Sequence, residues 1–108
     1  MKTANIKSYT NGWFIGNFSP TLLKTDLFEV AHHFYPKGFQ GTPHIHKIAI
    51  EYNYIVSGKL TASGQNLGDG DIFVYEPFEI SEVVFLEDTQ LIVIKMPSVP
   101  NDKYLSSM

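Results

Sequence analysis

The sequence contains no cysteine and no arginine. Without cysteine there is no disulfide framework, no zinc ribbon and no thiol nucleophile. Without arginine there is no guanidinium fork, the usual device for bidentate contacts to phosphate or to base edges. The eight basic side chains are all lysines, scattered along a chain of net charge −3. Nucleic acid is therefore not an expected partner. No stretch approaches the ~18–20 consecutive apolar residues of a membrane span. The opening MKTANIKSYT has no apolar core of a signal peptide. A membrane is not an expected partner either, and the expectation is a soluble, cytoplasmic protein. Sustained helical periodicity, internal repeats and low-complexity tracts are also missing.

What the chain does have is apolar residues, at 44%, against 18% charged. That balance lets it bury a core. Its 108 residues suit one domain. Short β-rich runs are separated by regular turn signals. Trp13 to Gly16 is a short aromatic strand after the turn dipeptide Asn11-Gly12. Further strands are expected at 27–35, 44–48, 50–56, 59–62, 71–75, 80–86 and 90–95. Ser57-Gly58 reads as the turn of a hairpin into Lys59–Ala62. Seven to nine short strands imply an all-β sandwich or barrel.

The central stretch, Gly38 to Gly58, carries the chemistry. His44 and His46 are two apart, so on a strand they share a face. Glu51 opens the next strand, and an antiparallel return brings its carboxylate toward them. Two imidazoles and one carboxylate suit a divalent transition metal: Fe, Mn, Zn, Ni or Co. Asn53 shares the face of Glu51. Its amide either meets a ligand or makes a structural hydrogen bond to a neighbouring strand.

The same stretch fills a known pattern without a gap: Gly38, five residues, His44-Ile45-His46, four residues, Glu51, six residues, Gly58. In this the chain resembles the cupin family, at its first motif. The second cupin motif is half present. Gly70 and Pro77 match it, but Phe78 stands where a glycine is expected, and Ser81 stands where a histidine would supply a fourth ligand. The resemblance covers about residues 27 to 96. It implies a cupin-type double-stranded β-helix, the jelly-roll barrel, as a single domain over 1–108. The barrel core is about 27–96, with an N-terminal strand segment at 11–26 and a tail at 97–108 lying along the surface. It implies a metal centre of His44, His46 and Glu51, with Asn53 and Ser81 lining the site. If Ser81 faces inward, the neighbouring Glu82 faces out.

His32-His33 is a second histidine pair, of which only one can face the barrel. If His32 does, it joins Phe28, Val30 and Phe34 on an apolar face, the usual choice for a core. If His33 does, Glu29 and Tyr35 face inward with it, and His33 and Tyr35 become candidate acid–base groups. Tyr52 and Tyr54 lie opposite Glu51 and point away from the site. These and other rings exceed the needs of one small barrel, so a homodimer is expected. The resemblance implies a small polar metabolite, such as a sugar derivative, as ligand or substrate. A non-catalytic sensor is the alternative. A metal-free epimerase using His33 and Tyr35 is the third reading, and it lacks an identifiable Asp partner for the histidine.

Overall fold

The computed structural model describes residues 1–106. Ten strands follow in order: β1 (Trp13–Ile15), β2 (Glu29–Tyr35), β3 (His44–Ile45), β4 (Ile50–Ser57), β5 (Lys59–Ala62), β6 (Gln65–Gly68), β7 (Ile72–Tyr75), β8 (Val83–Phe85), β9 (Thr89–Met96) and β10 (Tyr104–Leu105). Two short 3-10 turns, Ile6–Ser8 and Thr10–Gly12, precede them. The chain is all-β, as its alternation predicts, and no helix among the described residues is long and apolar enough to cross a membrane.

The strands form a five-stranded sheet in the order β1-β2-β9-β4-β7 and a three-stranded sheet in the order β6-β5-β8. A small two-stranded sheet joins β10 to β3. All the pairings between these strands are antiparallel. Ala31, Ile55, Leu91 and Val93 of the large sheet pack against Leu60, Ala62 and Phe85 of the small one. Full burial of such an aliphatic side chain contributes ~1.5–3 kcal/mol. Ile55 and Leu60 are both inaccessible to solvent.

The register sets what each face presents. On the inner face, β2, β9, β4 and β7 align the row Ala31, Val93, Asn53, Phe73 and the row Glu29, Lys95, Glu51, Tyr75. On the outer face the rows are Val30, Ile94, Tyr52, Val74 and His32, Ile92, Tyr54, Ile72. The period of two thus separates a polar inner edge from an apolar outer surface.

Four local expectations are corrected. The hairpin lies elsewhere: β5 pairs with β6 through Ser63-Gly64, both at positive φ, and not with β4. Gly58 instead carries the chain from one sheet to the other. Its φ is +122°, and an added Cβ would stand 2.7 Å from the Asp88 carbonyl oxygen. Only glycine fits there. The strand expected at 44–48 stops at Ile45, because the N–H groups of Lys47, Ile48 and Ala49 are all taken by the Asp102 carboxylate. The strand expected at 80–86 shortens to Val83–Phe85, with Ser81 making a separate bridge to His44. The tail does not merely lie along the surface: Ser98 and Asp102 are buried, and β10 pairs with β3.

Candidate metal centre

The first-motif residues are held by three different elements. His44 is on β3, and its backbone exchanges two hydrogen bonds with Ser81, at 3.2 and 2.8 Å. The backbone carbonyl of His46 accepts from Phe78 N–H at 2.8 Å. Phe78 has a φ of +70°. It thus adopts the left-handed conformation that a glycine would favour at this position. The two motifs are therefore stitched together backbone to backbone. Asp102 closes the third side. Its carboxylate accepts from Lys47, Ile48 and Ala49 at 2.9, 3.1 and 2.9 Å, fixing the loop that joins His46 to Glu51. Burial alone would raise the Asp102 pKa, but these N–H groups and the nearby His46 outweigh it and hold the carboxyl below its ordinary value.

Both first-motif imidazoles suit metal ligation. The Nδ1 of His44 stands 2.8 Å from the carbonyl oxygen of Thr42. A carbonyl can only accept, so Nδ1 carries the proton and the neutral ring keeps its lone pair on Nε2. His46 is buried. Burial, with the nearby Lys95, lowers its pKa to about 4. The ring is therefore neutral at pH 7. The two rings are 5.1 Å apart and nearly perpendicular.

Two adjoining spaces meet at these residues. An inner cavity of about 100 Å³ is lined by His33, His44, Glu51, Asn53 and Ser81, among others. An outer vestibule of about 1010 Å³ is lined by His33, Tyr35, His44, His46 and Glu51, together with residues of the N-terminal segment. All seven candidate residues from the sequence thus line one space or the other. Among the described residues, however, no three histidine or acidic side chains are gathered closely enough to enclose an ion. The Glu51 backbone is paired with Lys95 in the register, and that lysine's Nζ also lies 3.9 Å from Glu29.

His33, not His32, faces inward, and Glu29 and Tyr35 go with it. An ordinary core would take the opposite face. The face of Val30, His32 and Phe34 is the outer one, with Phe34 at 59% exposure and His32 Nε2 3.2 Å from Gln90 Oε1. His33 sits edge-on to Trp13 at 5.2 Å and tilted against Tyr35 at 5.4 Å. Burial lowers its pKa to about 4, against an opposing backbone hydrogen bond with Asn11. Tyr35 stacks on Phe85 at 4.4 Å. Burial, with Glu51 nearby, raises the Tyr35 pKa and keeps the phenol protonated.

Asn53 is buried, and its Nδ2 donates to the Phe73 carbonyl at 3.5 Å. That distance is beyond the usual range of an N–H···O bond. Ser81 is buried against the cavity and Glu82 is exposed, as the alternation requires. The sequence reading missed Lys95 and Asp102. Lys95 had a signal, since Leu91, Val93 and Lys95 share one face of β9. Asp102 had none, because its partners lie about 55 residues away.

Comparisons with known proteins give structural relatives only. No family model matches the chain, and no curated protein matches it. Among solved structures, KdgF from Halomonas sp. is 27% identical, over 71% of this chain and 74% of that one, with a TM-score of 0.63. A protein of unknown function with a cupin-like fold from Ralstonia eutropha JMP134 is 14% identical, over 87% and 60%, at a TM-score of 0.61. A bacterial pirin from Escherichia coli, in complex with nickel(II), is 16% identical, over 81% and 39%, at 0.67.

Proposed function

Because this chain is a cupin, we propose that it binds a divalent transition metal through His44, His46 and Glu51 and handles a small polar metabolite beside it. The observation that carries the reading is the Thr42 carbonyl on His44 Nδ1, which leaves Nε2 ready to ligate. The neutral, buried His46 supports it, as does the nickel held by the structurally similar pirin. The donor set of two imidazoles and a carboxylate fits Fe, Mn, Zn, Ni or Co. Among the described residues the set is not closed, so binding would require the Glu51 side chain to reorient toward the two imidazoles.

When bound, such a metal would polarise a carbonyl or hydroxyl oxygen as a Lewis acid. The remaining chemistry belongs to side chains that are in place. Neutral His33 can accept a proton, with Trp13 and Tyr35 fixing its ring. Protonated Tyr35 can donate a hydrogen bond to a ligand oxygen. Asn53 and Ser81 offer an amide and a hydroxyl at the inner cavity, groups that suit a hydroxylated ligand such as a sugar derivative.

Ser81 supports a second reading, a non-catalytic sensor, because no fourth protein ligand stands opposite His44 among the described residues. Metal-free epimerase chemistry is disfavoured, because His33 is met by the Asn11 backbone and not by a carboxylate. On the outer rows Tyr54 is exposed at 42% and Ile72 at 65%. These rows form a continuous apolar sheet face that a second copy of the chain would cover as a homodimer.

Elemental analysis after incubation with Fe(II), Mn(II), Ni(II) or Zn(II) tests the metal reading. About one equivalent is expected in the wild type and less than a tenth in the His44→Ala/His46→Ala variant. Equal content in both would refute it. Turnover of a panel of sugar derivatives indicates an enzyme, and saturable binding without turnover indicates the sensor.

A further inference from the structure

The charge lining the vestibule is opposite in sign to that of the chain. The protein carries eight lysines against eleven acidic residues. Three of those lysines, Lys7, Lys95 and Lys103, line the vestibule, with all four histidines. Glu51 is the one acidic residue in that lining among the described residues. An acidic protein has thus placed three cations in the lining of one concave space, with the Glu51 carboxylate in that lining and Glu29 beside Lys95.

Lys95 is the innermost of the three. It projects from β9, the central strand of the large sheet, onto the inner face, and its side chain is 18% exposed. A lysine facing inward from a central strand needs a counter-charge. Glu29 supplies part of it, at 3.9 Å. That is farther than a hydrogen bond allows. The ammonium also stands 5.0 Å from the Trp13 ring centre. An aromatic wall therefore borders it. Lys95 is itself part of the vestibule lining. Once Glu51 is committed to a metal, the surroundings of Lys95 become more positive still.

We propose that the vestibule is an anion-selective site in which Lys95, backed by Lys7 and Lys103, holds a carboxylate or phosphate group of the metabolite. This rests on the reading of the vestibule as the ligand site, and it names the ligand's charge. Without arginine the grip is that of point charges, not a planar fork, so it selects for charge more than for the shape of the anionic group. The neutral side chains deeper in, Asn53 and Ser81, receive the hydroxylated part of the ligand.

Calorimetric titration with three hexoses of matched scaffold tests this: neutral D-glucose, D-glucuronate and D-glucose 6-phosphate. Each is run on nickel-loaded and on chelator-treated protein. At least one anion is expected to bind about tenfold or more tightly than glucose in both states, with affinity falling as salt rises. Whichever anion leads identifies the group as carboxylate or phosphate. Lys95→Met keeps the stem against Trp13 and is expected to remove about tenfold of that preference, while Lys59→Met, on the far sheet, leaves it intact. Should Lys95→Met fail to fold, the salt dependence of the wild type and the loss in Lys103→Met decide. Equal binding of glucose and both anions, no binding of either anion, or an unchanged Lys95→Met overturns the proposal. A preference seen only with nickel bound also overturns it, because the metal would then hold the anion. Anion preference without metal uptake would refute the metal centre alone, and metal uptake without anion preference would refute this proposal alone.

Discussion

Replacing Asp102 tests whether the C-terminal segment fixes the ligand loop. Its carboxylate accepts three backbone N–H groups of the 47–49 loop, which separates His46 from Glu51. Lys47 and Ile48 are exposed, so water can satisfy their N–H groups in an Asp102→Ala variant. Ala49 is 2% exposed, and its N–H would be left without a partner. An unsatisfied buried donor costs ~1–3 kcal/mol, and a hydrogen bond to a charged group contributes ~1.5–3 kcal/mol. Partial rescue by water brings the expected loss to ~2–4 kcal/mol. Asp102→Asn keeps the shape but turns an NH2 group toward an N–H donor, and about half of that loss is expected. Chemical denaturation in chelator reads the stability. Metal affinity is read separately, by competition with a chromophoric chelator. Removing a group that orients metal ligands typically costs ~10–100-fold in affinity, and a loss in that range is expected for Asp102→Asn. An affinity within twofold of wild type would refute the reasoning, for the loop would then be fixed by the β3–β10 pairing and the Phe78 contact alone.

Ser81→His should restore the fourth ligand opposite His44 and raise metal affinity about tenfold in the same competition assay; lower affinity would show that the Ser81 side chain does not face the metal. Tyr54→Glu with Ile92→Glu places charge on the outer face and should convert a dimer to a monomer by light scattering, without changing metal content. Gly58→Ala should destabilise the fold by ~3 kcal/mol or more, since it joins a strained φ to a backbone clash, and a thermal midpoint equal to wild type would contradict the crowding at Asp88. The lowered pKa of His33 predicts a pH effect on metal-free protein. The unfolded chain takes up a proton near pH 6.5 that the folded ring resists until about 4. The His33 contribution to stability should therefore fall as pH drops through that interval, by on the order of 3 kcal/mol at ~1.4 kcal/mol per pH unit, and His46 adds a similar slope. His33→Gln should remove about half of the slope, the rest belonging to His46, whose pKa is also lowered to about 4, and an unchanged slope would mean that His33 does not contribute to it.

Much of this was legible in the residues. Alternation marks out β2, β4, β7 and β9 and puts Glu51 and Asn53 on a common face, because a strand's period leaves only two choices. It could not choose between the faces of β2. Phe28, Val30 and Phe34 mark an apolar side, and apolar sides are read as core. Here that side is outermost, and the inner side is lined by the polar groups of a cavity. The end of β3 and the role of the tail were hidden for a different reason. They depend on one carboxylate meeting three amides far away in sequence, and no local pattern records such a contact. Phe78 departs from the cupin pattern in its side chain, yet its backbone keeps the conformation that glycine would have adopted.

The Asp102 anchor also imposes an order on assembly. During synthesis His44 and His46 appear some 55 residues before the carboxylate that fixes their loop. Until Asp102 and β10 have emerged and docked, the two histidines precede a loop that lacks its carboxylate anchor. If these residues hold a metal as proposed, its tight capture would be deferred until the sheets are in place, and a nick at the exposed Pro100 or Asn101 would release the loop while leaving His44, His46 and Glu51 intact.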